Sequence, residues 1–381
     1  MTTPGPAQLQ RTSRDVAQLR TRLQGWLATR LPAGADPVVG ELAATSANGM
    51  SSETLLFAAS WTADGRRSEH ELVARLAPDA GDVPVFPSYD MARQFEVLRV
   101  VAGRTPVPVP GVRWLETDPA PLGAAFFVMD RVEGLVPPDV MPYTFGGNWL
   151  ADATDEQRGR LTTSTLQVLA DLHALPADDP QLAFLASDDA GETPLRRHVA
   201  HTRAWYDWVA ADGVGSPLIE RGFAWLEQHW PAQEPPAVLL WGDARIGNVM
   251  YDDFTPAAVL DWEMAGVGPR DLDVAWLLYA HRVFQDIAAG LAGLPGLPDF
   301  LQPDAVAARY EALTGHALPL LDFALVYSCL QYGIVFLRTG QRSVRFGERE
   351  MPADVDDLLI NRATLESLVA PAGPAAAGTG S

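Results

Sequence analysis

Apolar positions recur at helical spacing over residues 14–31, where Val16, Leu19, Leu23, Trp26 and Leu27 share one face. Pro32 and Gly34 stop that run. Strand signals follow over residues 38–42, 54–61 and 69–76, and Asp64-Gly65 marks a hairpin between the last two. A helix is expected over residues 89–102, with Met91, Phe95, Leu98 and Ala102 on one face. Two more strands are expected at 112–116 and 125–131. Beyond residue 132 the pattern turns helical, over 155–175, 195–211, 218–229, 271–289, 304–314, 319–338 and 353–369. One apolar hairpin interrupts it, with strands at 249–251 and 257–260 around the turn Asp252-Asp253-Phe254-Thr255-Pro256.

This order is strand, small-residue loop, two strands, helix, two strands, then helices. It predicts an α+β protein of the two-lobed protein kinase-like type: a five-stranded antiparallel N-terminal sheet with a helix, and a mainly helical C-terminal lobe. The expected division is a disordered start and amphipathic helix (1–37), a nucleotide-binding lobe (38–131), a catalytic and substrate lobe (132–370) and a disordered, low-complexity tail (371–381).

The chemistry concentrates between Val238 and Trp276. Asp243 is followed five residues later by Asn248, then by the hairpin, then by Asp261. That is the spacing of a kinase catalytic loop and its metal-binding aspartate. Asp243 is the candidate base for an acceptor hydroxyl. Asn248 and Asp261 are candidate Mg2+ ligands, hard oxygen donors suited to a cation that completes its shell with phosphate and water. Any one of these carboxylates alone would be a turn residue or a helix cap; their joint spacing carries the reading. Arg245 either reaches the transferring phosphate or is an exposed loop arginine paired with a surface carboxylate. Asp271 and Asp273 open the next helix and read as structural, Asp273 by binding back to the loop backbone.

The nucleotide would be held by parts upstream. Asn48, Gly49, Met50, Ser51 and Ser52, between the first two strands, would cover its phosphates with backbone N–H groups. Arg75 stands on the third strand where a phosphate-binding cation is needed, and arginine binds phosphate bidentately. Its orienting partner on the following helix is Glu96 or Gln94, which lie on different faces. The adenine would rest on the strand ending at Met129 and bond the backbone of Asp130, Arg131 and Val132. His173 reads as a packed or capping residue, and His198 and His201 as a solvated helix face.

With these residues in place the chain resembles the aminoglycoside phosphotransferase (choline-kinase-like) family, over residues 38–369. It is especially similar to an actinobacterial branch related to the kinase domains of acyl-CoA dehydrogenase-linked proteins. The motif carrying the resemblance is Trp241-Gly242-Asp243-Ala244-Arg245-Ile246-Gly247-Asn248 with Leu260-Asp261-Trp262-Glu263. It implies ATP and Mg2+ as cofactors, a catalytic base at Asp243 and metal ligands at Asn248 and Asp261. Trp241 stands where the family has histidine, Arg75 where it has lysine, and Gln94 or Glu96 where it has glutamate. The implied activity is transfer of a γ-phosphate to a hydroxyl of a small molecule, aminoglycoside-like or a hydroxylated metabolite such as a hydroxyacyl-CoA. A nucleotide-binding regulatory pseudokinase is the alternative.

Composition narrows the partners. With 28 Lys and Arg against 48 Asp and Glu the net charge is −20, which argues against nucleic acid or an anionic membrane surface. The single cysteine, Cys329, excludes an internal disulfide. The opening residues lack an apolar signal core, and the longest apolar run, 318–337, is broken by Asp322, Ser328 and Gln331, so a cytoplasmic location and a buried helix are expected.

Overall fold

The computed structural model describes residues 16–44, 53–78, 83–186 and 189–370. The expected disordered start and tail, and the candidate phosphate loop Asn48–Ser52, lie outside these residues.

Helix α1 (Val16–Arg30) is followed by β1 (Val38–Val39), β2 (Ala43–Ala44), β3 (Glu53–Ala63) and β4 (Arg66–Leu76). Helix α2 (Met91–Arg104) precedes β5 (Val112–Glu116) and β6 (Phe126–Asp130). The sheet is antiparallel, in the order β1-β3-β4-β6-β5 with β2 also on β3. The expected five-stranded sheet is thus present. Its first strand is broken into two short pieces, β1 and β2, around Gly40, whose N–H still bonds the Ala58 carbonyl.

Alternation along β4 decides what the sheet does. Leu72, Ala74 and Leu76 join Leu19, Leu23, Trp26 and Leu27 of α1 in a core on one face. Val73 lies in the other core, shared with α2 and the C-terminal lobe. With side chains alternating at period two, Arg75 must share the face of Val73 and look into the space between the lobes.

The rest is mainly helical: α3 (Asp155–His173), α4 (Pro194–Asp212), α5 (Pro217–Gln228), then after the strands α6 (Asp271–Ala292), α7 (Pro303–Thr314), α8 (Leu321–Arg345) and α9 (Arg362–Leu368). Helix starts follow capping chemistry: Thr154 and Gln157 form a capping box on α3, and Thr193 and Ser216 cap α4 and α5 ahead of a proline. Between α5 and α6 lie β7 (Ala237–Leu240), β8 (Val249–Asp252), β9 (Thr255–Val259) and β10 (Gly266–Pro269). Strands β8 and β9 form the expected hairpin, turning at Asp253 and Phe254, both at positive φ. The β7–β10 pair was not expected.

The single helix expected over 353–369 is instead a 3-10 turn (Val355–Leu358) and α9. Asn361 accounts for the break: it is buried, and its amide donates to Tyr279 Oη (3.0 Å) and the Cys329 carbonyl (2.8 Å). Among the described residues one helix, α8, is long and apolar enough to cross a membrane, and it is largely buried in the core, as the breaks at Ser328 and Gln331 implied.

The segment before α2 straps the lobes together. Trp205 Nε1 donates to the Val85 carbonyl (2.9 Å) and Arg338 Nε to that of Pro84 (2.8 Å), while Arg338 also pairs with Asp212 (2.6 Å).

Candidate active site

The loop from Trp241 to Asn248 leaves β7 through a turn that only glycine accommodates. Gly242 has φ +88°, and a Cβ there would lie 2.1 Å from the Met264 carbonyl oxygen. Asp273, at the start of α6, fixes this turn by accepting the N–H groups of Trp241 (2.8 Å) and Gly242 (2.9 Å). Its third partner is His173, which also bonds Tyr310 Oη at 2.7 Å. The structural readings of Asp273 and His173 therefore describe one buried network. Asp271 is more than a helix-end charge: it is buried and accepts the Leu320 N–H at 2.7 Å.

Asp243 is held from three sides. Asn248 Nδ2 donates to its Oδ2 (2.7 Å), Trp276 Nε1 to its Oδ1 (2.6 Å), and Arg245 Nε lies 3.2 Å from both oxygens. Burial raises the Asp243 carboxyl above its usual range; Arg245 opposes that shift and the nearby Asp261 charge adds to it. Arg245 is not an exposed surface arginine. It is mostly buried between Asp243 and Asp139, with which it forms a tight ion pair. Asp139 lies on the connector after β6, and nothing in its local sequence marks it. Trp276 was missed for the same reason, since a tryptophan on a core helix is ordinarily packing.

Asp261 follows β9 with φ +61°, a left-handed conformation rare for a residue other than glycine. Trp241 Nε1 holds that turn, donating to the carbonyls of Leu260 (2.9 Å) and Asp261 (3.2 Å). The indole at this position so serves a scaffold purpose.

Arg75 reaches across from β4 to form a tight pair with Asp261, with Glu263 at 3.6 Å. Burial disfavours its charge, but these two carboxylates outweigh that and raise its pKa. Glu96 is not placed beside Arg75: it pairs with Arg99 on the outer face of α2, at 2.5 Å. Gln94, about 200° round the helix, is buried and faces inward.

Two cavities meet here. One, of about 630 Å3, lies between the lobes and is lined by Arg75, Gln94, Asn248 and Asp261 and by the run Met129, Asp130, Arg131 and Val132. The N–H groups of Asp130 and Arg131 are used by the Gly111 and Glu71 carbonyls, so Val132 is the first connector residue past the sheet. The other, of about 500 Å3, lies between α2, α4 and the start of α6 and is lined by Arg93, Arg197, His198, Trp205, Gly242 and Trp276. Gln94 borders both. His198 is thus not on a solvated face; its Nδ1 meets Tyr327 Oη at 2.8 Å, and burial pushes its pKa down to about 4.

The phosphotransferase enzyme family (APH) matches residues 57–303, well over half of the chain. This chain belongs to that family. It is 30% identical over 234 residues to the Arabidopsis thaliana protein named "Probable acyl-CoA dehydrogenase IBR3", a stretch covering 55% of this chain and 26% of that protein. The chain thus matches only about a quarter of the length of its curated relatives. Two solved structures share the fold. A Ralstonia eutropha protein assigned as an aminoglycoside phosphotransferase has a TM-score of 0.60 at 20% identity, covering 92% of this chain and 96% of the other. Aminoglycoside phosphotransferase APH(4)-Ia in complex with ADP and hygromycin B has a TM-score of 0.52 at 17% identity, covering 92% and 99%. As a member of the phosphotransferase family, the chain carries a kinase-like transfer fold, and at these identities the structures speak for the fold alone.

Proposed function

We propose that the protein is a small-molecule kinase that moves the γ-phosphate of ATP to an acceptor hydroxyl, with Mg2+ as its metal. The observation that supports this most is the convergence of Asn248, Asp261 and Arg75 on the wall of one interlobe cavity, with Asp243 hydrogen-bonded to Asn248. In this reading the cavity takes the nucleotide, with the adenine against Met129 and the backbone of Asp130, Arg131 and Val132. The residues suit Mg2+: the Asn248 NH2 is committed to Asp243, which leaves its carbonyl oxygen for a cation, and Asp261 supplies a carboxylate on the same wall. When bound, Mg2+ would neutralise phosphate charge. The backbone N–H groups of Asn48, Gly49, Met50, Ser51 and Ser52 would cover the phosphates, and Arg75 would turn from Asp261 to the phosphate oxygens.

Asp243 accepts the acceptor's hydroxyl proton as that oxygen bonds the γ-phosphorus. The bond from phosphorus to the β,γ-bridging oxygen breaks, and ADP leaves with the electron pair. Trp276 and Asn248 orient the carboxylate, and Arg245 stands beside it to balance developing charge. The lobe division proposed here is 38–131 for nucleotide binding and 132–370 for catalysis and acceptor binding. The net charge of −20 argues against a nucleic-acid or anionic membrane partner, and the location proposed is the cytoplasm. An aminoglycoside is the acceptor class that the names of the structural relatives carry, and a hydroxylated metabolite such as a hydroxyacyl-CoA is the alternative.

Arg75 resting on Asp261 favours a second reading, a nucleotide-binding regulatory module without transfer. The two separate in an assay with ATP, Mg2+ and a panel of hydroxylated acceptors. Product is expected, and Asp243→Asn should lower its formation by about a hundred- to ten-thousand-fold while ADP still binds. Undiminished turnover in that variant would remove Asp243 from the reaction, and ADP binding without any product would favour the regulatory module.

A further inference from the structure

The cavity of about 500 Å3 has a composition that the loop chemistry does not explain. Its body is apolar, with Phe86 and Trp205 packed 5.0 Å apart and Leu182, Leu185 and Val267 around them. Into this space project Arg93 and Arg197. Arg93 spends one nitrogen on the Ala265 carbonyl (2.7 Å), but its Nε is buried and, among the described residues, has no hydrogen-bond partner. A buried donor without a partner is costly, and a ligand acceptor there would relieve it. Arg197 spends Nη1 on Gly191 (3.0 Å). Its neighbours Arg196 and Arg203 are engaged elsewhere, with Glu227 and with Asp207 and Glu220.

Three carboxylates of the lining already have partners. Asp90 caps α2 by accepting the Arg93 N–H, Asp273 holds the loop turn, and Glu263 pairs with Arg75. Asp178 sits at the exposed rim, and His201 is bonded to Asp189. Despite the acidic chain, the inner wall therefore offers spare cationic donors, not the spare carboxylates a polycation would need. The cavity is also in position for the reaction, because Gly242 and Trp276 form part of its wall and the Trp276 indole bonds Asp243.

We propose that this cavity takes the acceptor as a hydroxylated organic acid with an apolar or aromatic body, its anionic group held by Arg93 and Arg197. The proposal rests on the kinase reading for the fate of the hydroxyl, but binding of the acid stands apart from it. An acid of some 10 to 15 heavy atoms fits the volume, with the body against Trp205 and Phe86.

The test is calorimetric titration of the full chain, without nucleotide, with 3-phenyllactate and 10-hydroxydecanoate, their methyl esters, and kanamycin. At least one acid is expected to bind, with its ester about tenfold weaker. Arg93→Gln and Arg197→Gln should each weaken the acid by about tenfold, and Arg93→Lys should restore most of the loss at position 93. The proposal is overturned if neither acid binds at millimolar concentration, if esters bind as well as acids, or if kanamycin binds in their place. It is equally overturned if folded glutamine variants, checked by their melting curves, bind the acids unchanged. A parallel titration with ADP keeps the two readings apart: its failure strikes the kinase assignment and leaves the acid result standing.

Discussion

Asp243 shows how a common residue becomes a special one through its neighbours. Its carboxylate is desolvated, yet it receives an indole N–H, an amide N–H and a guanidinium, each of which favours the charged form. The indole bond is the one a conservative change removes. Trp276→Phe keeps most of the packing against Tyr332, whose ring lies 4.7 Å away, and deletes only the donor. A hydrogen bond to a charged group contributes roughly 1.5–3 kcal/mol, so turnover should fall by roughly tenfold to a hundredfold. Steady-state ATP consumption with a working acceptor reads this, and KM for ATP should barely move. An unchanged kcat would mean that Asn248 and Arg245 suffice to orient the carboxylate.

At the scale of elements, the site depends on two turns that ordinary backbone avoids. One is the exit from β7 at Gly242, where Met264 crowds the Cα; the other is the left-handed Asp261 after β9. The strand pair β7–β10 brings these turns side by side, since Leu240 and Gly266 are partners in register. Gly242→Ala therefore meets both an unfavourable φ and a backbone oxygen at 2.1 Å. A loss of roughly 3 kcal/mol or more in unfolding free energy is expected. Chemical denaturation measures it, and a change below about 1 kcal/mol would show that the loop shifts easily to make room.

Across the whole molecule, buried histidines tie distant segments, and their burial should make the fold lose stability in acid. His281 on α6 donates from Nε2 to the Leu297 carbonyl (3.2 Å) and so accepts at Nδ1 from Tyr143 Oη (2.9 Å), linking the connector, the helix and the loop beyond it. Burial pushes its pKa from 6.5 down to about 4, against weaker opposing pulls from the Leu297 carbonyl and Asp286. Above pH 6.5 neither state is protonated there and its contribution is complete. As pH falls from 6.5 towards 4 the unfolded chain takes up a proton that the folded protein refuses, and stability drops. The loss is on the order of 3 kcal/mol over that window. Plotting Tm against pH should give a shallower acid slope for His281→Gln than for the unaltered chain, even though the variant starts lower at neutral pH. Identical slopes would assign the acid sensitivity to carboxylates.

The sequence by itself determined the parts whose signals are local. Strand and helix periods placed the lobes in order, because amphipathic spacing reflects which face each element must bury. The interval from Asp243 through Asn248 to Asp261 marked the candidate site, because a loop and a hairpin of fixed length leave little freedom between those three side chains. Only the tertiary structure decided the partners that come from far along the chain. Asp139 on Arg245, Trp276 on Asp243, and Asp261 with Glu263 on Arg75 join segments brought together by packing. It also turned Gln94 inward and Glu96 outward on α2, a matter of helix rotation against the sheet, gave Arg75 the carboxylates of Asp261 and Glu263 in place of either, and split the last expected helix at Asn361. The same limit applies to the acceptor cavity: α2, α4 and α6 each read as an ordinary amphipathic helix, and the charge of the space between them exists only once they pack.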